Sequence, residues 1–165
     1  MQERQYASPY GVIRLGGQDG RLCRVLLGGP DWPAAPPDGK PLGRYAEMLD
    51  RYFSGRGILC EPELLCTSGL SDFQSRVYRA LATLGFGRLV SYGALARLAG
   101  CPRAARAVGR ALAANPLAIF VPCHRVVTAG GRPGGFSAGQ GWKRSLLRHE
   151  GWTVRAGRLE RSKEA

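Results

Sequence analysis

Between Ser71 and Pro116 the chain carries its own start and stop residues at close intervals, which restricts this stretch to short helices. Ser71-Asp72-Phe73-Gln74 has the form of a capping box, a Ser cap with Gln three residues on. Phe73, Val77, Leu81 and Leu84 then mark one face of a helix. Gly85 and Gly87 break it. Ser91 caps a second helix over residues 92–99, and Gly100 stops it. Pro102 opens a third, running to about residue 114, where Asn115-Pro116 ends it. The second and third helices, joined at Gly100-Cys101, have the length and turn of a helix-turn-helix over about residues 91–114.

The flanks read differently. YGVIRLGG and RLCRVLLGG, separated by Gln18-Asp19-Gly20, predict a short β-meander in residues 1–30. Residues 30–43 hold five prolines in fourteen positions and must form a loop. Tyr45, Met48, Leu49, Tyr52 and Phe53 have helical spacing, and Gly55 and Gly57 end that helix. After Pro116 an apolar strand, residues 117–121, runs into Pro122-Cys123-His124-Arg125. A glycine-rich loop, AGGRPGGFSAGQG, leads to a last helix over residues 142–150 and a charged tail. The expected class is α+β. Residues 1–66 form a small α/β structural domain, a β-meander with one helix, and residues 67–165 form a mainly helical domain.

The charge supports that division. Residues 1–66 carry eight basic and eight acidic residues, while residues 67–165 carry sixteen and four and hold the whole net charge of +12. A cationic half beside a neutral half suits a polyanionic partner. Nearly all the cations are Arg, which fits phosphate and base recognition better than Lys. A compositional bias toward Arg would not spare the first 66 residues. No apolar run approaches the roughly 18 residues of a membrane helix, and the N-terminus lacks a secretory signal. The expectation is a soluble, cytoplasmic protein. Five cysteines without an export signal argue against a disulfide framework. No CxxC pair is present and both histidines lie late, so no metal site is expected.

Arg103, Arg106 and Arg110 fall near one face of the third predicted helix, with Ala104, Ala105, Ala107 and Ala111 between them. Small residues would let that backbone approach a groove closely. A plain helical hairpin with a solvated Arg face has the same pattern. Among nucleophiles, Cys123 stands out. It closes an apolar run, precedes His124 and Arg125, and opens into a glycine-rich loop. Adjacent residues of a strand point to opposite faces, so His124 reaches the sulfur only if the chain turns, or through a water. The other four cysteines lack a basic neighbourhood and read as packing residues.

Arg103-Ala104-Ala105-Arg106-Ala107-Val108-Gly109, Asn115-Pro116, Val121-Pro122-Cys123-His124-Arg125-Val126-Val127, Phe136-Ser137-Ala138-Gly139 and His149-Glu150-Gly151 together resemble the O6-alkylguanine-DNA alkyltransferases, or methylated-DNA–protein-cysteine methyltransferases. The likeness covers residues 71–151 closely. It extends weakly over residues 6–66, where Ser8-Pro9-Tyr10-Gly11 is similar to that family's opening strands.

The resemblance implies an RNase H-like first domain and direct, single-turnover repair. An alkyl group would pass from O6 of guanine, and also O4 of thymine, to Cys123. It makes His124 the base that takes the thiol proton through a water and Glu150 the group that orients it. Tyr92, Asn115, Val126 and Ser137 become substrate-binding: a hydroxyl to the base, a link from helix to catalytic strand, a backbone group to the amino edge and an amide to O6. Arg106 would enter the base stack as the lesion is flipped out from the minor groove, with Arg103, Ala107, Gly109, Arg110 and Arg125 against the DNA. The partner is double-stranded DNA, the protein a monomer that clusters on it, and no cofactor or zinc is implied. Three departures stand out: Arg110 where a second Gly is common, Phe136 for a Tyr, and Ala138 for a Gly, the last expected to narrow the pocket. Competing readings are a lesion-marking binder without chemistry, which Cys123 argues against, a helix-turn-helix regulator, and a cysteine hydrolase with a Cys-His dyad.

Overall fold

The structure is a computed structural model describing residues 1–29, 42–58 and 61–162. The chain divides into two compact units, Met1–Ser68 with Pro116–Phe120, and Gly69–Asn115 with Val121–Ala165.

In the first unit, β1 (Gln2–Ser8), β2 (Gly11–Gln18) and β3 (Arg21–Leu27) form an antiparallel sheet in that order, the expected meander. Asp19 and Gly20 both take positive φ (52° and 74°), the twist that a two-residue hairpin needs. Alternation turns Ile13 and Leu15 inward, both fully buried. Helix α1 (Gly43–Arg51) buries Tyr45, Ala46 and Leu49. Tyr45 is held by its tip: its hydroxyl accepts from the Leu22 amide (3.1 Å) and lies 2.8 Å from the Gly20 carbonyl and 2.7 Å from that of Leu64. The chain leaves α1 through a wide turn at Tyr52–Arg56, which Gly55 closes at φ 82°.

Two expectations fail here. Cys23 and Cys66 are joined in a disulfide, although packing roles were predicted for both. The reason is register: Leu22 and Leu65 form a parallel bridge and the Cys66 amide donates to the Leu22 carbonyl, so the two cysteines are cross-strand neighbours. Residues 117–121 do not form a strand. The Val25 amide donates to the Pro116 carbonyl (2.7 Å) and Val25 bridges Leu117, but the chain turns at Ile119 (φ 73°). Leu117, Ile119 and Phe120 are nonetheless buried, Phe120 edge-on to Tyr45. The proline-rich loop falls mainly on residues 30–41, which with Cys60 and residues 163–165 lie outside the described residues.

In the second unit both halves of the predicted capping box are made at the start of α2 (Asp72–Ala82). Gln74 N donates to Ser71 Oγ (3.2 Å) and Ser71 N to Gln74 Oε1 (2.9 Å). Ser91 caps α3 (Tyr92–Leu98) through Ala94 N (3.1 Å). Gly100 (φ 73°) turns the chain out, with the Cys101 amide on the Ala96 carbonyl. Helix α4 spans Ala105–Ala113, shorter at its start than expected. Arg103 therefore lies in the preceding turn, which the Ala104 amide closes on the Cys101 carbonyl, and not on the helix face with Arg106 and Arg110.

A short parallel pair, β4 (Val90–Ser91) and β5 (Val126–Val127), was not foreseen. It sets the start of α3 beside the segment that follows Cys123. Helix α5 (Gln140–His149) ends at Glu150 and Gly151 (φ 85°). The supposed charged tail is instead an antiparallel hairpin, β6 (Trp152–Arg155) and β7 (Arg158–Arg161), turned by Ala156 and Gly157 at positive φ. Val77, Leu81, Leu95, Val108, Val126 and Leu146 are fully buried, each worth about 1.5–3 kcal/mol of transfer free energy if an unfolded chain exposed it completely. Among the described residues no helix is long and apolar enough to cross a membrane.

Candidate active site

The nucleophile candidate sits in a tight turn. The Cys123 amide donates back to the Val121 carbonyl (2.8 Å) and the Arg125 amide to that of Pro122 (3.0 Å), winding Cys123–Arg125 into one turn of 3-10 helix. The turn replaces the expected strand end, so the two side chains do not alternate as they would along a strand. Cys123 is 4% exposed. Asn115, just beyond α4 and itself buried, donates from one Nδ2 to both the Val121 carbonyl (3.0 Å) and Cys123 Sγ (3.2 Å). The sulfur opens on a cavity of about 260 Å³, walled by Tyr92, Gly109, Leu112, Phe136 and Ser137 among others.

Behind the turn lies a buried charge array. His124 Nε2 is 2.7 Å from Glu150 Oε1, with both side chains fully buried. Arg125 gives Nε to both carboxylate oxygens (3.1 and 2.9 Å) and Nη2 to Oε1 (2.9 Å). Its Nη1 donates to the Leu84 carbonyl. The Gly87 amide donates to Oε2 (2.9 Å). Arg125 was expected against DNA. It is 5% exposed and its guanidinium is committed to Glu150, because a buried carboxylate needs a fixed cation more than the surface needs another Arg.

Charge states follow from these contacts. Burial pushes the Glu150 carboxyl up, but His124 and then Arg125 outweigh it and hold the group well below the usual carboxylate range. Burial drives the His124 imidazole down, with Glu150 working against that shift. Burial also pushes the Cys123 thiol up. Asn115, then the charge of Lys143, then backbone amides pull it partly back. At rest the thiol therefore keeps its proton, and the imidazole presents Nε2 to an ionised carboxylate.

Lys143 was missed by sequence reasoning. It is fully buried on α5, and Nζ donates to the carbonyls of Val126 (2.7 Å) and Gly135 (3.1 Å). Burial lowers it to about 8. The signal was available: Lys143 stands three and four residues before Leu146 and Leu147, on the face that α5 buries. Its two acceptors connect β5 to the glycine-rich loop.

The remaining candidates divide. Tyr92, Gly109 and Ser137 line the cavity, as does Phe136. Burial raises the Tyr92 phenol, while a backbone hydrogen bond with Gly135 acts the other way. Gly134 (φ 73°) is required there, since a Cβ would fall 2.8 Å from Tyr92 Oη. Val126 is buried beside the turn rather than at the cavity wall, its carbonyl accepting from Lys143. Ala138 also stands off the wall, so it does not narrow the cavity as expected. Arg103, Arg106 and Arg110 are exposed. Ala107 and Arg110 face a second hollow with Phe73, Gln74 and Ala111, so the Arg110 departure does not touch the Cys123 cavity. Among the described residues no three His, Cys, Asp or Glu are grouped to hold a metal ion.

Residues 72–152 match the family model described as 6-O-methylguanine DNA methyltransferase, DNA binding domain. The methylated-DNA–protein-cysteine methyltransferase of Mycolicibacterium paratuberculosis is 37% identical over 154 residues, covering 89% of this chain and 90% of that protein. The Salmonella typhimurium protein of the same name is 42% identical over 112 residues, 68% of this chain and 65% of that one. Of solved structures, Mycobacterium tuberculosis OGT in complex with DNA matches with a TM-score of 0.77 at 37% identity, covering 91% of this chain and 93% of that chain. The chain belongs to the methylated-DNA–protein-cysteine methyltransferase family.

Proposed function

We propose that this protein repairs alkylated DNA directly, taking the alkyl group from O6 of guanine, and from O4 of thymine, onto Cys123 Sγ once per molecule. The observation that carries this is the buried sulfur opening on a small cavity, with an amide donor on it and, on the next residue of the chain, an imidazole paired with a buried carboxylate. A thiol raised by burial is nearly all protonated at neutral pH, and each unit costs tenfold in thiolate. A base must therefore take its proton as the reaction proceeds.

In this reading His124 accepts that proton through a bridging water, and Glu150, held ionised by Arg125, stabilises the imidazolium that forms. Sγ attacks the alkyl carbon, forming the S–C bond as the C–O6 bond breaks. The electron pair left on guanine is met by hydrogen bonds from the Ser137 amide and the Tyr92 hydroxyl, and the base takes its proton from water afterwards. Asn115 fixes the turn. The thioether has no route back to thiol, so each molecule acts once.

The lesion lies inside a stacked duplex and must be turned out. Helices α3 and α4 serve as a helix-turn-helix in the minor groove, with Arg106 filling the vacated stack and Ala107 and Gly109 allowing close approach. Arg103 and Arg110 meet phosphates, and the excess charge of residues 67–165 makes binding steeply salt-dependent. Residues 1–66 act as an RNase H-like structural domain, and the working unit is a cytoplasmic monomer.

The test mixes the protein with a duplex carrying O6-methylguanine and maps the Cys123 peptide by mass. One added methyl, with stoichiometric loss of activity, is expected, and none in Cys123→Ser. An unmodified peptide with repeated turnover, or binding without modification, refutes the reading.

A further inference from the structure

The C-terminal hairpin reaches back to the charge array. Trp152 Nε1 donates to the Gly87 carbonyl (3.0 Å), and Arg161 Nη2 donates to the same oxygen (2.9 Å). Arg161 Nη1 contacts the Glu150 carbonyl (3.4 Å), and its guanidinium lies 4.4 Å over the Trp152 ring. Two side chains thus grip one carbonyl, on the residue whose amide supplies the backbone donor to Glu150 Oε2. The fit is close: at Gly87 (φ 70°) a Cβ would stand 3.2 Å from the Glu150 carbonyl and 3.4 Å from Arg161 Nη1. The hairpin is fastened to the rest of the unit by Leu159 N on the Gly131 carbonyl (2.8 Å) and Ser162 N on that of Gly151 (2.9 Å). Strand β7 lies beyond the segment that the family model matches.

We infer that the β6–β7 hairpin, through Arg161 and Trp152, is a positioning element for the Glu150–His124 pair. It fixes the Gly87 amide on Oε2 so that Oε1 stays aligned on His124 Nε2. Arg161 stands away from the thiol and acts through Gly87. A carboxylate with four donors on it holds its orientation only if each donor is itself held, and tolerances in such arrays are about 0.5 Å. Loosening Gly87 leaves Glu150 free to turn further toward Arg125. That weakens its hold on the imidazole and makes His124 a poorer acceptor for the thiol proton. The inference rests on the proposed relay.

The experiment reads Cys123 alone. Full-length protein is alkylated with iodoacetamide across about pH 6 to 10, the Cys123 peptide is followed by mass, and melting temperatures are taken alongside. Glu150→Gln tests the relay itself, and failure to move the Cys123 midpoint overturns the relay and this inference together. Arg161→Ala is expected to move the midpoint up by about half to one unit, slowing alkylation at neutral pH about three- to tenfold. Arg161→Lys, keeping a cation over the ring and a donor, restores most of it. Arg158→Ala, exposed on the same strand, leaves the midpoint in place. If E150Q shifts the midpoint and R161A does not, or if R161A and R158A behave alike, the hairpin has no positioning role. Should R161A not give a folded transition, Trp152→Phe decides, since it removes only the Nε1 donor and keeps a ring. An unmoved midpoint in W152F then refutes the inference.

Discussion

Replacing Lys143 by Met removes a charge from the interior without emptying the space its stem fills. Nζ is fully buried and satisfies two carbonyls, those of Val126 and Gly135. Two effects oppose each other. Met leaves both carbonyls short of a partner, at roughly 1–3 kcal/mol each. It also abolishes the cost of a buried ammonium. That cost can be sized, because burial takes Lys143 from 10.5 to about 8. The difference of about 2.5 units corresponds to about 3 kcal/mol. The sign is fixed by proton counts. Below pH 8 both folded and unfolded chains hold the proton, and the penalty is fully present. Between about 8 and 10.5 the unfolded chain holds more protons than the folded one, so wild-type stability rises with pH by up to about 1.4 kcal/mol per unit. The K143M variant has no such rise. Urea unfolding of both proteins across about pH 7 to 10.5 should therefore show the wild type gaining about 3 kcal/mol relative to K143M over that window. Subtracting one from the other cancels the groups that Lys143 does not perturb, and making both proteins Cys123→Ala removes the thiol that is coupled to it. A difference that stays flat, or shrinks as pH rises, would refute the account of Lys143 as a buried, depressed ammonium. The same substitution should slow Cys123 alkylation at neutral pH, since the Lys143 charge helps to lower the thiol.

Glu150→Gln breaks a buried ion pair and should cost about 3–5 kcal/mol at pH 7. The folded carboxyl titrates below its unfolded value, so that advantage is full above the ordinary glutamate range and lost as pH falls. Chemical denaturation at stepped pH values checks this, and a gap unchanged in strong acid speaks against it. Asn115→Ala removes donors to the Val121 carbonyl and Cys123 Sγ, at about 1–3 kcal/mol, and should move the thiol midpoint upward in the iodoacetamide assay. Gly134→Ala places a methyl 2.8 Å from Tyr92 Oη at a positive φ. Calorimetry should record a loss of about 1–3 kcal/mol, and methyl transfer should slow more than iodoacetamide labelling, since the displaced group is the one proposed to meet the guanine. Equal slowing of both reactions would place the damage at the thiol instead.

What the sequence disclosed followed local rules. Ser71 with Gln74, and Ser91 before Tyr92, encode helix starts within four residues, and both caps form. Asp19-Gly20 encodes its hairpin in the same way. What stayed hidden depended on partners distant in the chain. Residues 117–121 look like a strand by composition, yet the chain turns at Ile119, and its neighbours meet distant partners instead of a ladder, Leu117 bridging Val25 and Phe120 lying against Tyr45. Arg125 reads as a surface cation until Glu150, twenty-five residues on, is seen to need it. The hairpin after Gly151 was obscured by charge: Arg155, Arg158 and Arg161 resemble a tail, and only Trp152, Val154 and Leu159 hint at packing. At the site, Cys123, His124 and Glu150 were legible through family likeness, whereas Lys143 could have been found from helical phase alone.

Pro116–Phe120 groups with the first sixty-eight residues, although the segments on either side of it group with the second unit. No single cut can therefore separate the two halves cleanly. A fragment beginning at Gly69 would carry Leu117, Ile119 and Phe120 with nothing of the amino-terminal half to shield them, an oily patch in the middle of an otherwise strongly cationic piece. A shortened version of this protein that stays in solution would have to exchange those three side chains for polar ones.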